Sequence, residues 1–70
     1  MDYKREARAI IRSIIQREQD TSGYSESWVR KNRVALVSRT IDNGEIANVY
    51  QELTDTELEA LIAAITARLQ

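Results

Sequence analysis

Seventy residues without a single cysteine or histidine, at a formal net charge of −1, set narrow limits on what this chain can be. The usual zinc ligand sets, thiol catalysis and Ser-His chemistry are unavailable, and no disulfide can reinforce the small core that a chain of this length builds. With 43% hydrophobic and 30% charged residues, residues 1–70 read as one globular unit whose stability rests on efficient helix packing or on association with another chain.

The charge is unevenly spread. Residues 1–39 carry nine Lys/Arg against five Asp/Glu, whereas residues 40–70 carry Arg68 alone against six acids. The two halves are expected to attract each other or to face different partners. The first residues, MDYKREARAII, place charges where the apolar part of a signal peptide would begin. No apolar run reaches the roughly 20 residues of a membrane span, and a soluble, cytoplasmic protein is the expectation.

There is no proline, and Gly23 and Gly44 are the strong punctuation marks. Before Gly23, Tyr3, Ala7, Ile10, Ile11, Ile14 and Ile15 repeat at the three-and-four spacing of one helical face, which predicts a first helix from Asp2, as N-cap, to about Glu18. The segment QDTSGYSES then reads as a loop. Ser25 is suited to cap a second helix, with Tyr24 stapled onto Val29, and this helix should run as one piece to the stop signal DNG at residues 42–44.

DNG between two apolar runs also suits a hairpin with Val34–Ile41 and Ile46–Tyr50 as strands. Against it, Ile46, Val49, Tyr50 and Leu53 lie at i, i+3, i+4 and i+7, a helical spacing that would scatter across both faces of a strand. A short helix over Glu45–Glu52 is therefore expected. The clearest helix start follows in LTDTEL, where Thr54 and Glu57 can form a capping box and Leu53 can staple onto Leu58. The third main helix should run from Asp55 to about Leu69.

The resulting expectation is an all-α fold: a small three-helix bundle with an additional short helix between the second and third main helices. Antiparallel contacts would bury the isoleucine and leucine faces together. The expected core is Ile11, Ile14, Val29, Val37, Ile41, Ile46, Val49, Leu53, Leu58, Leu61, Ile62 and Ile65.

Helical projection at about 100° per residue separates the faces left for function. On the first helix, Arg5, Arg8 and Arg12 form a stripe opposite the isoleucines with no acid four residues away, suited to phosphates or to an acidic protein. On the second, Val29, Val34, Leu36, Val37 and Ile41 form an apolar arc that also contains Arg30 and Arg33, which could reach an acid such as Glu52. Trp28 lies on another side with Lys31, Asn32, Ala35 and Arg39, a docking strip rich in the residue types that dominate interfaces; its bland alternative is that Trp28 closes one end of the core.

On the third helix, Leu58, Leu61, Ile62, Ile65 and Leu69 line one side, while Ala60, Ala63, Ala64 and Ala67 cover most of the back. An alanine face admits another helix closely and suggests a homodimer, or it is simply composed of the best helix former. No P-loop, dinucleotide fingerprint or metal-ligand spacing occurs, and no cofactor is expected.

The functional expectation is a non-enzymatic protein–protein interaction module, an accessory, adaptor or inhibitory protein. Its partner would be another, unidentified protein, contacted through Trp28, Lys31, Arg39, Arg5, Arg8 and Arg12. Self-association would use Ala60, Ala63, Ala64 and Ala67. The alternatives are nucleic-acid binding through the basic half or a structural subunit of a larger assembly. A helix–turn–helix reader is disfavoured, because the segment after DNG, EIANVYQEL, carries Glu45 and Glu52 and no cation.

Overall fold

Five helices and no strand make up the computed structural model, which describes residues 1–70: α1 Tyr3–Ser22, α2 Glu26–Lys31, α3 Arg33–Asp42, α4 Glu45–Val49 and α5 Asp55–Leu69. The protein is an all-α bundle, and the hairpin alternative for residues 34–50 does not occur. None of its helices is long and apolar enough to cross a membrane.

Helix starts follow their caps. The side chains of Asp2, Ser25 and Thr54 accept the backbone N–H groups of Arg5, Trp28 and Glu57. At Thr54 the box is complete: Glu57 accepts the Thr54 N–H in return, at 3.0 Å, and these bonds hold its carboxyl below the usual range. Helix ends depart further from expectation. α1 continues to Ser22 instead of stopping near Glu18, because its polar last turns satisfy themselves: Thr21 donates to the Arg17 carbonyl and Gln16 to Asp20. Only Gly23, at φ 69°, ends it, as L side chains rarely adopt that conformation.

The second main helix is not one piece. At Asn32 the backbone leaves helical geometry, and both its backbone N–H and its side-chain amide donate to the Trp28 carbonyl. The doubly accepted Trp28 carbonyl marks the junction at which the segment divides into α2 and α3. Gly44, at φ 76°, then turns the chain from α3 into α4. α4 stops at Val49, short of the expected Glu52, because Tyr50 swings out of the helix and donates its hydroxyl to Glu6 of α1 at 2.9 Å.

α1 is the central element and packs most extensively on α5. Lys4 and Arg8 share a depression with Ala64, Ala67 and Arg68, and Arg8 and Arg12 share the next with Arg68, so residue numbers rise together along the two helices. The two therefore run parallel, contrary to the antiparallel expectation for the isoleucine and leucine faces. The return journey falls to α4, which begins with Glu45 beside Arg17 and ends with Tyr50 beside Glu6.

The core consists of Ala7, Ile10, Ile11, Ile14, Val29, Leu36, Val37, Ile46, Leu61, Ile65 and Leu69. Ile41, Leu53 and Leu58 pack against it half-buried, and Ile62 is likewise half-buried. Val49 departs from expectation, being 72% exposed: with α4 only five residues long, Ile46 faces inward and Val49 overhangs the edge. Val34 is also exposed: it lies at the outer edge of the arc whose buried centre is Val29, Leu36, Val37 and Thr40.

Two outcomes test this packing. Ile65→Ala, at a fully buried position, should lower unfolding free energy by about 2–5 kcal/mol, whereas Val49→Ala should change it by less than about 0.5 kcal/mol; urea titrations followed by circular dichroism read both. Burial first, and then the bond to and charge of Glu6, raise the Tyr50 phenol above its ordinary value. The Tyr50–Glu6 bond thus stabilises the fold below about pH 10 and its contribution is lost as pH rises through the folded-state value. In an absorbance titration the Tyr50 phenol should ionise above its ordinary value, and Tyr50→Phe should remove that late phase.

Candidate functional site

The core stripe of α1 is flanked by a groove on either side. On one flank Ala9, Ile10, Ser13 and Ile14 of α1 face Ile46, Val49 and Tyr50 across a depression of about 300 Å³. The charged residues at its end, Arg17 and Glu45, are already paired with each other at 2.8 Å.

The other flank differs in kind. Three depressions join end to end along it. The first, of about 320 Å³, is lined by Lys4, Arg8, Ala64, Ala67 and Arg68. The second, of about 230 Å³, is lined by Arg8, Ile11, Arg12, Ile15, Arg33 and Arg68. The third, of about 630 Å³, is lined by Arg12, Ile15, Gln19, Glu26, Arg30 and Arg33. Arg8 and Arg68 border both the first and the second, and Arg12, Ile15 and Arg33 both the second and the third, so the depressions lie in a row along α1 and together make up a basic groove.

Each cation is there for a local reason. Lys4, Arg8 and Arg12 follow one another at i, i+4 along α1. Arg33 opens α3 directly after Asn32, half-buried on the side of the helix that faces α1. Arg68 occupies the last turn of α5, where a cation complements the partial negative charge of the helix end. Ile11, which is buried, and Ile15, which is half-buried, form the floor.

Of the ion pairs, only Arg30–Glu26 borders this groove, at its far end. Arg17 pairs with Glu45 and Glu18, Arg39 with Glu18 at 2.9 Å, and Arg30 with Glu26 at 3.1 Å. Lys4, Arg8, Arg12, Arg33 and Arg68 have no ion pair. Glu26 is the one acid among the lining residues, and Arg30 already holds it. No three carboxylates gather closely enough to hold a metal ion.

The expected contact residues are thus redistributed. Arg8 and Arg12 lie at the centre of the groove, while Arg5 lines none of its depressions. Trp28 is 38% exposed and stacks on Tyr24, with ring centroids 3.8 Å apart and planes at 17°. In place of the expected staple onto Val29, Tyr24 lies nearly face to face on the larger Trp28 ring at the exposed start of α2. Lys31 is exposed and unpaired, but Arg39 is withdrawn from the docking strip by Glu18, whose side chain is only 10% exposed. Arg30 reaches Glu26 one turn away and not Glu52.

Of the alanines, Ala63 and Ala67 are exposed and Ala60 and Ala64 half-buried; Ala64 and Ala67 border the basic groove. Three groove cations, Lys4, Arg33 and Arg68, are not among the expected contact residues. Arg33 belongs to the apolar arc and is half-buried at its margin, and Arg68, the lone cation of residues 40–70, is an anomaly that the sequence does not locate. The chain matches no protein-family model, no curated protein and no solved structure.

Separating structural from free arginines is directly testable. Arg39→Ala should destabilise the fold by about 1–3 kcal/mol, since it strips a partner from a buried carboxylate. Adding Glu18→Gln to the same chain should recover part of that loss in chemical denaturation.

Proposed function

We propose that this chain is a small protein-interaction module, a regulatory or adaptor protein without catalysis of its own, that binds an acidic surface of a larger protein through the basic groove between α1, α3 and α5. One observation carries the reading: Arg8, Arg12, Arg33 and Arg68 converge from three helices on one groove and none has an ion-pair partner. Gathering like charges costs free energy in the isolated chain. The arrangement acquires a compensating term when carboxylates of a partner enter, and the planar arginine fork suits carboxylates well.

The surroundings favour a protein over nucleic acid. The isoleucine floor rewards apolar side chains, which a phosphate backbone does not offer. α4, which follows the Gly44 turn, carries Glu45 and no cation, so the helix–turn–helix reading gains no support. The same charges bear on self-association. An isologous dimer through Ala64 and Ala67 would bring Lys4, Arg8 and Arg68 of both copies together, and opposed like charges disfavour such a contact. The alanines at this edge instead give a partner close approach to α5.

The test is site-specific photocross-linking in extract of the cells the chain comes from. A benzophenone residue at Ala67, in the groove, should yield a discrete protein adduct that disappears in the Arg12→Glu, Arg33→Glu background, while the same residue at exposed Ala47 on α4 should not. Equal yields from both positions, or an adduct that nuclease removes, would contradict the reading.

A further inference from the structure

Resting on that reading, we infer that the occupant of the groove is an amphipathic α-helix of the partner, with an apolar stripe flanked by Asp and Glu. Three features of the groove point to this occupant.

The first is length and straightness. From Lys4 to Gln19 the three depressions line up along α1, a span of about 22 Å at roughly 1.5 Å per residue, or about four helical turns. An extended strand could also lie along it, but the flanking backbone offers no sheet edge to pair with, since every neighbouring element is helical. A helix satisfies its own backbone and needs only side-chain contacts.

The second is the order of the lining. Ile11 and Ile15, one turn apart, make a narrow apolar floor, continued by Ala64 and Ala67 at one end. A helix docks on such a floor through residues spaced i, i+3 or i+4, the same period as the floor itself.

The third is the spacing of charge. Lys4, Arg8 and Arg12 form a ladder with one step per turn on one rim, and Arg33 and Arg68 answer from α3 and α5. Carboxylates spaced one turn apart on either side of an apolar stripe would meet both rims, and a helix offers that spacing without strain. The Glu26–Arg30 pair at the far end marks where the requirement for acid stops. Charge complementarity therefore selects the partner's sign, and the isoleucine floor selects its amphipathic form.

The test uses a designed peptide of about sixteen residues, long enough to span the trough, built from Leu, Glu and Ala with leucines on one stripe. Two probes serve as controls: the same composition reordered so that leucines and glutamates no longer segregate, and a single-stranded RNA of matching charge. Affinities come from fluorescence anisotropy, and the contact site from amide shift changes in NMR spectra of the intact chain.

The amphipathic peptide should bind at least about tenfold more tightly than the reordered one, a difference of about 1.4 kcal/mol. Its shift changes should centre on Arg8, Arg12, Ile15, Arg33 and Arg68, and Arg12→Ala with Arg33→Ala should abolish the preference. Circular dichroism of that variant checks that it remains folded, and the change Asn48→Ala, at an exposed position of α4 outside the groove, serves as a control that keeps full affinity. Equal binding of both peptides would overturn the helix as occupant while leaving an acidic protein partner in place. Preferential RNA binding, released steeply by salt, would overturn both readings, and an absence of binding by every probe would overturn this one, the cross-linking experiment then deciding the other independently.

Discussion

The parallel contact between α1 and α5 is the constraint on which the rest of the molecule depends. Ile11 and Ile14 on one side and Leu61, Ile65 and Leu69 on the other supply much of the buried apolar surface. Two parallel helices cannot be joined by a short turn, so the 32 residues from Gly23 to Thr54 must carry the chain back along α1. They do so as three short helices separated at Asn32 and Gly44. The length of α4 follows from the same requirement: Tyr50 must reach Glu6 before α5 can start beside the beginning of α1.

The arrangement sorts the cations into two groups. Arg17 and Arg39 join α1 to α3 and α4 through Glu18, Thr40 and Glu45, and they belong to the fold. Lys4, Arg8, Arg12, Arg33 and Arg68 join nothing. The attraction expected between the basic and acidic halves is realised by a single ion pair, Arg17–Glu45; the other acids of residues 40–70 form none. Exposed ion pairs contribute little to stability, so leaving these groups unpaired costs the fold little, while it keeps the basic surface available to a partner.

Much of the fold was legible because it rests on local chemistry. The Asp2, Ser25 and Thr54 caps and the glycine stops all act within a few residues, whereas the helical spacing of Ile46, Val49, Tyr50 and Leu53 indicated the helix type of α4 but not its early end at Val49. Most of what was not legible depends on contacts distant in sequence. The junction at Asn32 is the local exception: one side-chain amide added to the Trp28 carbonyl, with no glycine or proline to announce it. Arg33 becomes a groove residue because α1 and the end of α5 lie beside the start of α3. Likewise, Arg68 joins Arg8 and Arg12 only because α5 runs parallel to α1, and Arg39 leaves the Trp28 strip only because Glu18 is held at the edge of the core. Half of the groove, Arg8 and Arg12, was visible as a stripe with no acid at i+4; the other half required tertiary structure.

The central claim is that the groove arginines are free of the fold. The urea midpoint of Arg12→Glu against the unaltered chain, at low and high salt, tests it most directly. We expect the variant to be as stable or more stable by a few tenths of a kcal/mol at low salt, because it replaces a repulsion with Arg8 by an attraction, with the gap closing as salt is added. A loss of about 1 kcal/mol or more would mean that Arg12 holds the structure together and that the groove is part of the fold rather than a surface for a partner.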